Sequence, residues 1–238
     1  LYILNMVVVI YTHTDTKDVW VPFFDRMKKY MSGYKTYICV NKDDDMIPNE
    51  YHKIYYNDSK SYTERLVDSL SQINEEVIMF THEDMILYAT PNYEYITKYS
   101  EYVSNRIADS IKLIPISNKG KFTKSEINDT LAVDATGDFH KFSIQPTIIR
   151  KSILEEMAKG CGSLTIWEFE LAIVGAGLDF VAYRGDELQR GLYHFDSFVY
   201  PYIATAIVKG KWNTLEYPKE LSEMFEEYNI NPFERGVI

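Results

Sequence analysis

Where a buried strand of this chain ends, an imidazole and two carboxylates stand in a row. His82, Glu83 and Asp84 follow Val77-Ile-Met-Phe80 and Thr81, and precede Met85-Ile-Leu87. The unbroken apolar run is that of a strand covered on both faces. Carboxylates beside such a core are costly unless a metal ion, a cation or several donors compensate them. The carboxyl ends of strands in open α/β sheets form the ligand crevice, so this elbow is the first candidate site. A divalent ion held by one or two carboxylates, water and phosphate oxygens would neutralise a departing diphosphate there. An acidic turn solvated at the sheet edge is the plainer alternative.

A second group lies downstream, where Lys141-Phe-Ser-Ile-Gln-Pro-Thr-Ile-Ile-Arg-Lys151 precedes Thr165-Ile-Trp-Glu-Phe-Glu170. A strand ending near Gln145, a short helix and a glycine turn lead into a helix start that carries Trp167 and Glu170. Positions three apart share a helix face, which makes the indole and the Glu170 carboxylate neighbours. Glu168 projects about 200° away from Glu170 on a helix turning roughly 100° per residue, so one pocket receives only one of them, and Glu170 is the choice. Trp167 could then stack on a sugar ring while Glu170 removes a hydroxyl proton from an acceptor. Alternatively, Trp167 is a core residue and both glutamates are solvated.

The elements that must position these groups alternate in the first half. Met6 to Tyr11 reads as a strand, with Leu1 to Ile10 as a first core segment too short to span a bilayer and without a signal-peptide pattern. After Thr12-His-Thr-Asp-Thr16, the spacing of Trp20, Phe23, Phe24, Met27 and Met31 predicts an amphipathic helix. Strands at Lys35 to Val40 and Tyr51 to Tyr56 follow, then a helix over Tyr62, Leu66, Leu70 and Ile73 capped by Ser59 or Ser61. Such alternation predicts a mainly parallel sheet with right-handed crossovers. No GxGxxG or Walker loop is present, which argues against dehydrogenase and ATPase readings.

In the second half, a helix at Tyr93 to Val103 and a strand at Ser110 to Ile116 lead into a polar loop over Ser117 to Asp129. Strands at Leu131 to Asp134 and Lys141 to Ile149 precede a helix from Ser152 to Lys159, ended by Gly160-Cys-Gly162. Leu164, Trp167, Leu171 and Val174 form the apolar stripe expected of the next helix, followed by a strand at Phe180 to Tyr183. An extended run over His194 to Val208 and a helix within Leu215 to Asn229 close the chain. No repeat or linker marks a domain boundary, so residues 1–238 read as one domain.

Composition narrows the function. The 238 residues are 46% hydrophobic with a net charge of −10, and the pI is near 5.0. That is enough apolar content for a large core, and too acidic for a protein that tracks nucleic-acid phosphates. Cys39 and Cys161 lie far apart and form neither a disulfide framework nor a zinc cluster, which fits a reducing, cytoplasmic setting.

Ser61-Tyr-Thr-Glu-Arg-Leu66, the Val77 to Leu87 elbow, Phe142-Ser-Ile-Gln-Pro146, Trp167-Glu-Phe-Glu170 and Lys209-Gly-Lys-Trp-Asn213, in that order, resemble the pattern of GT-A-fold glycosyltransferases. The similarity is greatest to glycosyltransferase-like proteins of bacterial and large-virus surface-glycan clusters. It implies an α/β GT-A-like fold, a mixed and mainly parallel central sheet flanked by helices, with a nucleotide-sugar-binding half near residues 1–90 and an acceptor-binding half near 91–238. The implied activity moves a sugar, of hexosyl type, from a nucleotide donor to a glycan hydroxyl, with inversion.

By the same resemblance Thr12, His13, Thr14, Arg65, Glu83 and Asp84 bind the donor, and Trp167 and Gln145 bind the acceptor. Glu170 is the catalytic base. Asp84 and Glu83, with His194 or His140 from later in the chain, would hold Mn²⁺ or Mg²⁺. The family's usual Asp-x-Asp is absent here, since His82-Glu83-Asp84 offers one aspartate in the expected frame. That departure favours a second reading, a carbohydrate- or nucleotide-sugar-binding module of the same fold without catalysis. A nucleotidyltransferase would carry a glycine-rich basic loop after the first strand, and Tyr11 to Lys17 contains no glycine.

Overall fold

The computed structural model describes residues 6–115, 122–134, 143–173 and 180–238. His140, Val174 and the start of the expected strand at Lys141 lie outside them.

In chain order the first half runs β1 (Met6–Tyr11), a 3-10 helix (Thr14–Val19), α1 (Trp20–Met31), β2 (Thr36–Val40), β3 (His52–Tyr55), α2 (Tyr62–Leu70), β4 (Val77–His82), α3 (Tyr93–Ser104) and β5 (Ser110–Lys112). The second half adds β6 (Phe122–Lys124), β7 (Leu131–Asp134), β8 (Thr147–Arg150), α4 (Lys151–Gly160), α5 (Ile166–Ala172) and β9 (Phe180–Tyr183). A hairpin of β10 (Ile207–Val208) and β11 (Lys211–Trp212), then α6 (Pro218–Glu227) and α7 (Pro232–Arg235), complete it.

The described strands form a nine-stranded sheet in the order β3-β2-β1-β4-β8-β5-β9-β7-β6, and a two-stranded hairpin. β3, β2, β1 and β4 are parallel neighbours, whereas β8 runs antiparallel to both β4 and β5. The fold is therefore α/β with a mixed sheet, one half of which, β3-β2-β1-β4, is parallel. The fully buried β1, β2 and β4 explain why their sequences show no polar alternation.

Two groups of helices flank the sheet. α2 packs with α4 and α5. α1 meets α3 where the Tyr93 hydroxyl donates to the Tyr30 carbonyl at 2.6 Å, and meets the residue after α6 where Arg26 Nε donates to the Tyr228 hydroxyl at 3.1 Å. Ser61 starts α2 through a capping box with Glu64, resolving the choice between Ser59 and Ser61.

Strand order reverses between β1 and β4, whose last residues Tyr11 and His82 are in register. Because β8 runs the other way, its first residue, Thr147, lies opposite Phe80 and Lys112. This brings the segment 143–146 to the carboxyl ends of β4 and β5, the edge where α/β sheets bind ligands.

Four expectations need correction. Of the expected strand Lys141 to Ile149, the described part from Ser143 is a strand only from Thr147, because Pro146 has no amide hydrogen to give a ladder. Part of the expected polar loop, Phe122–Lys124, pairs with β7. Residues 194–208 are mostly turns, touching the sheet region at the isolated Leu87 to Tyr202 bridge. In α5 the expected stripe faces outward: Trp167 is 64% exposed and Leu171 45%, while Phe169 and Ile173 enter the core.

Candidate active site

A cavity of about 370 Å³ opens at the carboxyl ends of β4 and β5. His82, Asp84 and Lys112 reach it from the sheet, Gln145 from the segment before β8, Trp167 and Glu170 from α5, and Tyr193, His194 and Thr205 from the later turns. The acidic elbow and the tryptophan-glutamate helix thus share one hollow.

Asp84 is fixed from both ends. Its carbonyl accepts the Ala206 amide at 2.8 Å, and its carboxylate accepts its own amide and that of Ile207. Thr205, at φ 68°, makes the turn that aims those two amides. A β-branched residue in the left-handed region is strained, and strain of this kind collects at functional sites. Burial raises the Asp84 pKa against the pull of these amides and of His194.

Glu83 points elsewhere. It is 7% exposed, is not part of the cavity wall, and meets the Thr16 hydroxyl and Thr12. Burial, and after it the neighbouring Asp84, push its pKa up. The Thr16 hydroxyl is within hydrogen-bond reach of the His13 carbonyl, at 2.7 Å, and of the Glu83 carboxylate.

α5 begins with a capping box in which Glu168 and Thr165 satisfy each other's amides, so Glu168 is occupied at the helix start and exposed. Buried Phe169 anchors the helix, leaving Trp167 and Glu170 on the cavity side. The Ile144 amide donates to Glu170 Oε1, tying α5 to the segment that carries Gln145. Gln145 is 9% exposed and accepts from the Tyr202 hydroxyl.

His194 Nδ1 is engaged by Glu216, whose carboxylate lies where a Cβ at Gly191 would sit. His82 is stacked on Tyr11 with centroids 5.3 Å apart, and burial drops its pKa to about 3, so it stays neutral. Tyr11 stacks in turn on Tyr56 at 5.0 Å, and the Arg65 guanidinium lies 5.2 Å from the Tyr56 centroid. Arg65 also donates to Asp58 at 2.7 Å, and His13 Nε2 reaches the other Asp58 oxygen at 2.9 Å. Thr14 and Asn41 bond each other reciprocally, and Thr12 accepts the Trp20 indole N–H at 2.7 Å. Thr12, His13, Thr14 and Arg65 thus form a cluster beyond the cavity wall, joined to it through the stacked rings.

The expected cation set of Asp84, Glu83 and His194 does not form. Asp84 and His194 share the cavity, but Glu83 is turned away from it. Among the described residues no three of His, Cys, Asp or Glu gather closely enough to hold a metal ion.

Sequence reasoning missed Lys112 and Thr205. Lys112 left a signal, a lysine inside the apolar run Ile111 to Ile114 at the end of a strand. Thr205 left none, since its backbone angle is not written in its residue type.

No family model matches the chain. Nor does any curated protein. Among solved structures, the bifunctional IspDF from Campylobacter jejuni aligns over 76% of this chain at 14% identity and a TM-score of 0.46; the chain spans 50% of that protein's length. The crystal structure of S. aureus TarS 1-349 aligns over 97% of this chain and 68% of its own, at 12% identity and a TM-score of 0.50. TarS is a GT-A glycosyltransferase, and the likeness over nearly the whole chain establishes that this protein has the GT-A-like fold.

Proposed function

We propose that this protein transfers a sugar, of hexosyl type, from a nucleotide-sugar donor to a hydroxyl of a glycan acceptor, in the synthesis of a surface glycan. One observation carries the reading: Asp84, Trp167 and Glu170 line a single cavity at the edge of a GT-A-like sheet where ligands bind. The cluster of His13, Thr14 and Arg65 takes the nucleoside, and anchored Asp84 faces the sugar of the donor. The acceptor stacks on exposed Trp167 and bonds to Gln145.

Glu170 then takes the proton of the acceptor hydroxyl as its oxygen bonds to the anomeric carbon. The bond from that carbon to the diphosphate breaks, and its electron pair leaves with the nucleoside diphosphate. Attack opposite the leaving group inverts the anomeric centre. The amide of Ile144 holds the Glu170 carboxylate in place.

The test is a calorimetric panel of nucleotide sugars, with and without Mn²⁺, followed by measurement of nucleotide released in the presence of glycan acceptors. Binding of one donor and release of its nucleoside diphosphate is the expected result. Failure of every nucleotide sugar to bind would reject the proposal. The Glu83 orientation favours a second reading, a binding module without turnover, which predicts binding and no release.

A further inference from the structure

The charges around the cavity are uneven. Among its described lining residues Asp84 and Glu170 are acids, His82 is held neutral, and Lys112 is the one lysine or arginine. The Lys112 ammonium enters no hydrogen bond or ion pair with a described residue; its electrostatic partner is Glu170. The arginines nearest the elbow are committed elsewhere, Arg65 to Asp58 and Arg235 to Asp18.

A transferase of the kind proposed above must receive two or more negative charges on a departing phosphate. Here, among the described residues, the carboxylates that would carry a cation for that purpose do not form a set. The ammonium at the end of β5 stands in the same hollow as Asp84, half-buried, where a charge interaction is stronger than in water. We infer that Lys112 is the residue that binds the donor's phosphate and takes up the charge of the leaving group. As the anomeric bond breaks and its electron pair moves onto the phosphate oxygen, the ammonium donates a hydrogen bond to that oxygen and keeps its own proton. The inference rests on the transferase reading.

The groups facing Lys112 are Glu170 from α5, His82 and Asp84 from the end of β4, and His194 with Glu216 behind it. Its register partners Thr147 and Ala182 do not titrate. Loss of water draws the Lys112 pKa down to about 8, with Glu170 pulling the other way. A lysine so placed is charged below that pH and neutral above it, so anion binding should fall as pH rises through about 8. Arginine does not titrate in this range.

The experiment titrates inorganic pyrophosphate into the whole chain as wild type, Lys112→Met and Lys112→Arg, at about pH 7 and about pH 9.5, with melting temperatures recorded alongside. Lys112→Met should weaken pyrophosphate binding roughly tenfold or more and, where a donor turns over, slow transfer by about 10²- to 10³-fold. Wild type should lose affinity at the higher pH and Lys112→Arg should keep it. Equal pyrophosphate affinity in wild type and a folded Lys112→Met, or an unchanged loss at high pH in Lys112→Arg, would overturn the inference. Wild type that turns over no nucleotide sugar while pyrophosphate binding still depends on Lys112 would reject the transferase reading and leave an anion site.

Discussion

Glu83 and Asp84 are consecutive in the chain and belong to different neighbourhoods: Asp84 looks into the cavity, held by the amides of Ala206 and Ile207, while Glu83 is buried against Thr12 and Thr16. β4 ends at His82, and the turn after it, closed by the Met85 amide on the His82 carbonyl, sends the two side chains to different sides. One side of the elbow therefore serves the site and the other serves the packing of β1 and the 3-10 helix.

This division predicts a pH effect on stability. Glu83 has a raised native pKa, so between about 4.3, its unfolded value, and that raised value the native state keeps a proton the unfolded chain has released. Stability contributed by this group is therefore fully present below the window and falls as pH rises through it. Glu83→Gln, which keeps a donor toward Thr16, should remove that slope. Urea unfolding at about pH 5 and about pH 9 should show the variant gaining on wild type at the higher pH. Parallel profiles would contradict the assignment.

Adjacent positions of α5 should separate function from stability. Phe169 is fully buried, and Phe169→Ala should cost about 3–5 kcal/mol. Trp167 is 64% exposed, and Trp167→Ala should change stability by about 0.5 kcal/mol or less while raising the KM for acceptor. A large loss of melting temperature in Trp167→Ala would place the indole in the core instead.

The turn at Thr205 should be a store of strain. Thr205→Gly relieves a left-handed β-branched residue at the cost of greater freedom in the unfolded chain, and a net gain of about 1 kcal/mol is expected from denaturant unfolding. A loss of that size would mean that the Thr205 side chain makes contacts worth more than the strain.

The parallel half of the sheet was legible because its strands are buried on both faces and α1 has a clear helical period. The same logic failed on α5, where Trp167 and Leu171 mimic a core stripe. An apolar face that lines a pocket has the composition of one that packs against a sheet, and periodicity does not separate the two. The Asp84 and Glu170 positions could be read from residue type and spacing, and each lies on the cavity wall. Whether Glu83 faced the site depended on the turn that follows β4, and the turn at Thr205 on a backbone angle. Neither is legible without coordinates.

The most direct test of the account compares wild type with Glu170→Gln, measuring donor affinity by calorimetry and sugar transfer by nucleotide release. The account predicts a donor Kd within about twofold of wild type and transfer slowed by about 10²- to 10⁴-fold, since the lost group acts on the acceptor proton. Unchanged transfer in the folded variant would contradict it.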